Sequence, residues 1–132
     1  MNSISAAFKD KKVLITGHTG FKGSWLSAWL SQLGAKVIGL SDTIPTEPAH
    51  YSLIKENLEG DLRVDVKDGD LVFSTINEIK PDYIFHLAAQ PIVLESYENP
   101  LNTFNTNVMG TGNVLDALRR SNHKCTAIMI TS

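Results

Sequence analysis

Five short runs rich in Val, Ile and aromatic residues recur along the chain, at Val13–Thr16, Lys36–Leu40, Leu62–Val66, Tyr83–Ala88 and Thr126–Ile130. Each has the length of a buried strand. Their hydrophobicity is near-continuous rather than alternating, which suits parallel strands covered on both faces. Between them lie stretches of helical period. Lys22–Leu33 places Trp25, Leu26, Trp29, Leu30 and Leu33 on one face and ends at Gly34. Asp68–Ile79 offers Leu71, Val72, Thr75, Ile76 and Ile79, and Leu101–Arg120 offers Phe104, Val108, Val114, Leu115 and Leu118. Ser41–Glu59 carries Pro45 and Pro48 and reads as loop, with a helical turn near Tyr51–Leu58. Alternation of this kind, with right-handed crossovers, predicts an α/β fold. The expected architecture is a Rossmann-type doubly wound parallel sheet of strand order 3-2-1-4-5.

The 132 residues suit one domain, spanning 1–132. Net charge is −2, and the longest basic cluster, Lys9–Lys12, is interrupted by Asp10. Binding of nucleic acid through many phosphate contacts is therefore not expected. The single cysteine, Cys125, cannot form an internal disulfide, which points to a reducing, cytoplasmic setting. The first twenty residues lack the apolar core of a signal peptide, and no run approaches the ~18 apolar residues of a membrane span. No pair of histidines has metal-ligand spacing, so no metal is expected.

Residues 15–26 read ITGHTGFKGSWL, with Gly17, Gly20 and Gly23 between the first strand and the first long helix. Placed there, Gly17 permits a tight turn, Gly20 lets a phosphate approach the backbone, and Gly23 lets helix and strand pack closely. A pyrophosphate would rest on the helix N-terminus among His18, Thr19, Phe21 and Lys22. The alternative is a glycine-rich turn with no ligand. Asp42 follows Gly23 by nineteen residues and ends the second strand, where an acid would hold adenosine ribose hydroxyls or simply form a turn. No Arg or Lys occurs from Ser41 to Ile54, which favours NAD over NADP, although Lys22 and His18 in the loop weigh against that preference. Asp65, followed by Val66, either accepts from an adenine amino group or caps the helix starting near Asp68. Tyr51 and Lys55 form a Tyr-x-x-x-Lys pair, but on the adenosine side of the sheet, and are not read as catalytic. His86 lies in an apolar strand and reads as packed core. His50 and His123 read as loop positions, and Cys125 as a small buried hydrophobe.

Together TGHTGFKG (16–23), Asp65–Val66, FHLAAQP (85–91), SYENP (96–100), TNVMGT (106–111) and ITS (130–132) resemble the extended short-chain dehydrogenase/reductase family, nearest to its nucleotide-sugar dehydratases. That resemblance implies NAD as internal hydride carrier and a nucleotide sugar, CDP-glucose before others, as substrate. It implies pyrophosphate binding by Gly17, Gly20 and Gly23 and adenine contact by Asp65 and Val66. It places Leu87, Ala88, Ala89 and Gln90 beside the nicotinamide ribose and gives Asn107 a structural role. Tyr97 would approach the sugar nucleotide, and Ser132 would be the catalytic hydroxyl that polarises the sugar oxygen. Leu94 and Glu95 stand where the family often has a basic residue before the Ser-Tyr pair. The chain is expected to stop after the fifth strand, with the family's catalytic Tyr-x-x-x-Lys and substrate region lying beyond it, and to pair as a homodimer through Leu101–Arg120. The alternative functions are another sugar-nucleotide epimerase or dehydratase, or a non-catalytic dinucleotide-sensing module.

Overall fold

A computed structural model describes residues 3–131. The chain begins with α1 (Ser3–Phe8), then runs β1 (Lys12–Thr16), α2 (Phe21–Gln32), β2 (Lys36–Leu40), α3 (Tyr51–Ile54, continued by a 3₁₀ turn Lys55–Asn57) and β3 (Gly60–Leu62). It continues with α4 (Gly69–Ile79), β4 (Tyr83–His86), α5 (Val93–Glu98), α6 (Pro100–Phe104), a π-helical turn (Asn105–Met109), α7 (Gly110–Arg120) and β5 (Thr126–Met129). The five strands are all parallel, in the expected order β3-β2-β1-β4-β5. β1 is central, with Leu14 level with Ile38 of β2 and Ile84 of β4.

Side chains of a strand point alternately to its two faces, so a fully buried strand feeds two cores. Leu14 joins Leu40, Ile84, Val72, Ile76, Val114 and Ala117 under α4 and α7. Its neighbours Val13 and Ile15 join Val37 and Leu30 under α2. All three β1 residues are completely buried. This two-sided cover is the physical reason the strands read as unbroken apolar runs. No helix of the described residues is long and apolar enough to cross a membrane.

Three expectations need correction. β3 ends at Leu62, not Val66, so Asp65 and Val66 lie in the turn leading to α4. Leu101–Arg120 is helical throughout, but a π-helical turn joins α6 to α7 and resets the face that is buried. It buries Gly110, Val114 and Ala117 and leaves Phe104 and Val108 outside. On α2 the tryptophans face outward, Trp25 at 54% and Trp29 at 52% exposure, while Gly23, Ser24, Ser27 and Leu30 face the sheet. The cause is close approach: small residues let the helix axis come nearer the strands than indoles would permit. Trp25 instead stacks on His50, with ring centroids 4.0 Å apart, and His50 Nδ1 donates to Ser24 Oγ at 2.9 Å.

Outward indoles carry little of the core energy. Trp29→Ala is therefore expected to cost under about 0.5 kcal/mol, against about 2–5 kcal/mol for Leu30→Ala. Urea denaturation of the two variants checks this; a Trp29 effect equal to that of Leu30 would contradict the orientation of α2.

Candidate functional site

The carboxyl ends of β1, β2 and β4 meet at one edge of the sheet, the general place for ligands in this architecture. Gly17 takes φ +75°, open to glycine without steric cost, and its N–H donates to Leu40 O at 2.8 Å. A Cβ there would lie 2.7 Å from Ala88 N, so the turn is also pressed against the segment after β4. A Cβ on Gly23 would lie 2.1 Å from the Gly17 carbonyl oxygen. Gly20 differs. A Cβ on it would meet only Gly17 O, at 3.4 Å, so the fold itself has room for a side chain there. Gly20 is the N-cap of α2 and no side chain caps that helix. Ser24 N–H bonds back to Gly20 O at 2.9 Å, and the first-turn amides before it lie at the positive end of the helix dipole. The arrangement fits a phosphate: a cradle kept clear, with main-chain donors behind it.

The segment Leu87–Gln90 is pinned from two sides. Thr16 Oγ1 accepts from Leu87 N–H at 3.2 Å and Ala88 N–H at 3.1 Å. Its own proton goes to His86 Nδ1 at 2.7 Å, so Nε2–H donates to Thr111 Oγ1 at 3.0 Å, and Thr111 donates to Asn107 O at 2.8 Å. The Asn107 amide then clasps Gln90, accepting from its N–H at 2.7 Å and donating to its carbonyl at 3.1 Å. His86 is buried as expected, and burial holds its pKa below the usual 6.5. Ala89 stands exposed at the apex of the clamped segment.

On the other flank, Asp42 is exposed. Its Oδ1 accepts from Thr43 N–H at 2.8 Å, which leaves Oδ2 for a ligand, and Thr19 Oγ1 donates to Thr43 O at 2.6 Å. Asp65 Oδ1 accepts from Lys67 N–H at 2.9 Å, and Oδ2 lies 3.3 Å from Lys67 Nζ. The helix cap is Asp68, which accepts from Leu71 N–H at 3.0 Å, so of the two roles considered for Asp65 the capping one belongs elsewhere. Val66 packs its side chain into the core under α4 and α7, so its contacts with any ligand are limited to main chain.

His18 departs from expectation. Its imidazole is fully buried, with Nε2 donating to Asp61 Oδ1 at 2.8 Å and Nδ1 accepting from Ser41 Oγ at 3.1 Å. The ring is turned into the protein, and the residue has no exposed surface. Burial lowers its pKa despite the opposing pull of Asp61. Tyr51 is buried too and donates to Asp61 Oδ2, while Arg63 Nη2 donates to the Tyr51 hydroxyl at 2.8 Å. Burial, then the Asp61 hydrogen bond and charge, push the phenol pKa up, away from use as a base. For Asp61, burial pushes upward, but the bonds from Tyr51 and His18 and the Arg63 charge win and hold its carboxyl below the usual range. Phe21 and Lys22 are exposed on the loop, and Tyr97 is 80% exposed on α5. Ser132 lies outside the described residues. Sequence reasoning missed Thr16, Thr111, Ser41, Asp61 and Arg63 as site-building residues; only Thr16, a hydroxyl at a strand end, carried a signal.

A family model described as GDP-mannose 4,6 dehydratase matches residues 14–132. CDP-glucose 4,6-dehydratase of Salmonella typhimurium is 42% identical over 127 residues, covering 95% of this chain and 35% of that protein. CDP-paratose 2-epimerase of Salmonella typhi is 36% identical, covering 89% of this chain and 35% of that protein. The crystal structure of the Thermus thermophilus UDP-glucose 4-epimerase complex with NAD superposes with a TM-score of 0.71 at 32% identity, over 83% of this chain and 34% of that one. The chain thus spans about a third of the length of the curated relatives it matches.

Two buried neutral histidines make the fold acid-sensitive. Below pH 6.5 the unfolded chain protonates both, while the folded chain holds them neutral to lower pH. The unfolded state then binds more protons, and stability falls by at most about 1.4 kcal/mol per pH unit per histidine. Thermal melts should show a lower Tm at pH 5.0 than at pH 7.5; an equal or higher Tm at pH 5.0 would refute the neutral assignment.

Proposed function

Since the chain belongs to the GDP-mannose 4,6 dehydratase family, we propose that residues 1–132 form the NAD-binding Rossmann domain of a nucleotide-sugar 4,6-dehydratase acting on CDP-glucose. The single observation that carries this reading is the open space at Gly20. The fold would tolerate a Cβ there, so the glycine serves something outside the fold that must touch the backbone at a helix N-terminus. The higher identity to the CDP-glucose enzyme than to the CDP-paratose epimerase supports the substrate.

On this reading the chain's residues divide the cofactor between them. The amides following Gly20 hold the diphosphate, with Gly17 and Gly23 fixing the turn. The free Oδ2 of Asp42 accepts from the adenosine ribose hydroxyls, and Asp65 faces the adenine edge. Leu87–Gln90, held rigid by Thr16 and Asn107, bears the nicotinamide ribose. Bound NAD supplies an acceptor for hydride from the sugar and a donor that returns it. Tyr97 contacts the sugar nucleotide, and the Ser132 hydroxyl polarises the sugar oxygen. The exposed Leu101, Phe104 and Val108 support pairing of two copies along this side. Within these residues Tyr51 and Lys55 make up the sole Tyr-x-x-x-Lys pair, and that phenol is committed to Asp61. Residues 1–132 are therefore expected to bind NAD without yielding a 4-keto product.

Titration with NAD should shift the amide resonances of residues 17–23 and 87–90; folded protein whose amides stay unmoved would end this reading. Gly20→Ala should weaken NAD binding at least about tenfold, a loss of about 1.4 kcal/mol, with Tm changed by under about 2 °C. Gly23→Ala should fail to fold, given its contact with the Gly17 carbonyl. With a longer protein that carries these residues and a following Tyr-x-x-x-Lys pair, 4-keto product should form from CDP-glucose ahead of dTDP-, UDP- and GDP-sugars.

A further inference from the structure

We propose that Asp61 sets the choice between a dinucleotide with a free adenosine 2′-hydroxyl and one bearing a 2′-phosphate, by holding the Arg63 guanidinium out of use. This rests on the dinucleotide reading above. Along the chain no Arg or Lys lies between Ser41 and Ile54, beside the end of β2. The fold supplies one from the neighbouring strand. Leu62 of β3 is level with Leu40 of β2, and Arg63 Nη1 donates to the Ser41 carbonyl at 3.5 Å. A guanidinium therefore lies against the residue that precedes Asp42, where the adenosine ribose is placed.

That guanidinium is engaged. Arg63 Nη2 lies 3.2 Å from Asp61 Oδ2 and 3.1 Å from Oδ1, and donates to the Tyr51 hydroxyl at 2.8 Å. The Tyr51 ring sits beneath it, 5.5 Å from ring centroid to guanidinium carbon. Asp61 cannot follow Arg63 outward, because His18 and Tyr51, both buried, hold its two oxygens. With His18 and Tyr51 neutral, Asp61 and Arg63 sum to zero, and the exposed Asp42 leaves one net negative charge at the ribose position. A 2′-phosphate brings more negative charge and would be repelled. Removing the Asp61 charge while keeping its shape would let Arg63 offset Asp42 and offer paired N–H donors to the phosphate. Asp61 is thus a positioning residue and Arg63 the group it restrains.

The test is calorimetric binding of NAD and of NADP to the natural protein and to Asp61→Asn, Arg63→Gln, and the two combined. The natural protein should prefer NAD. Asp61→Asn should shift the ratio of the two dissociation constants toward NADP by about tenfold, and adding Arg63→Gln should abolish the shift, as expected for one charge-assisted contact. Arg63→Gln alone should not move the ratio toward NADP, because it leaves the Asp61 and Asp42 charges unopposed. Should Asp61→Asn not fold, Tyr51→Phe, which removes a second acceptor of Arg63, should move the ratio in the same direction by about threefold. An unchanged ratio in folded Asp61→Asn, or in Tyr51→Phe where that variant is the one measured, overturns the proposal. So does a shift that survives loss of Arg63, or natural protein that binds NADP as well as NAD. Natural protein that binds neither dinucleotide overturns the cofactor reading itself, whereas NAD binding with an unmoved ratio overturns only the role of Asp61.

Discussion

The contact between Gly17 and Gly23 sets most of what surrounds it. With a virtual Cβ of Gly23 only 2.1 Å from the Gly17 carbonyl, helix α2 begins as close to the end of β1 as a peptide chain allows. That closeness forces small residues onto the inner face of α2, where Ser27 returns its hydroxyl to Gly23 O at 2.8 Å, and turns both tryptophans outward. It also brings the first-turn amides of α2 to the edge where β1, β2 and β4 end. The same turn presses on Ala88, so the start of α2 and the Leu87–Gln90 segment are held at a fixed spacing through Gly17.

The order of the sheet was legible because parallel strands buried on both faces are unbroken apolar runs, as Val13, Leu14 and Ile15 are. The glycine triplet was legible because its spacing falls between a strand and a helix. Three things were not. Helical periodicity put Trp25 and Trp29 in the core, because hydropathy does not register how close a helix must come to its sheet. Leu101–Arg120 is helical as read, but the π-helical turn at Asn105–Met109, which carries Asn107, the residue that clasps Gln90, was not visible in the pattern. Pattern reasoning sees residue type, not the extra residue in a turn. His18 looked like a loop residue open to phosphate. Its burial depends on Ser41 and Asp61, which come from β2's end and β3 and are linked to it only by the fold.

Two histidines flank β1, and both stay neutral because each ring nitrogen meets a partner suited to an uncharged imidazole. His86 accepts at Nδ1 from Thr16 and donates at Nε2 to Thr111, a wholly uncharged relay. His18 accepts at Nδ1 from Ser41 and donates at Nε2 to a carboxylate whose charge is taken up by Arg63. Thr16 and His86 are both buried, where an unpaired ion would be costly, and no ionised group enters that relay. Asp61 and Arg63 are partly open to solvent, with side-chain exposures of 29% and 42%, so an ion pair there is tolerable.

The consequence is a division of labour across the central strand. On the β4 side a neutral chain of hydroxyl, imidazole and amide groups fixes the main chain of Leu87–Gln90 without adding an ionised group of its own. On the β3 side, which is more open to solvent at Asp61 and Arg63, charges are admitted. The chain therefore keeps an ion pair on its β3 side and a neutral network on its β4 side, and both are anchored to the residues that flank the turn at Gly17.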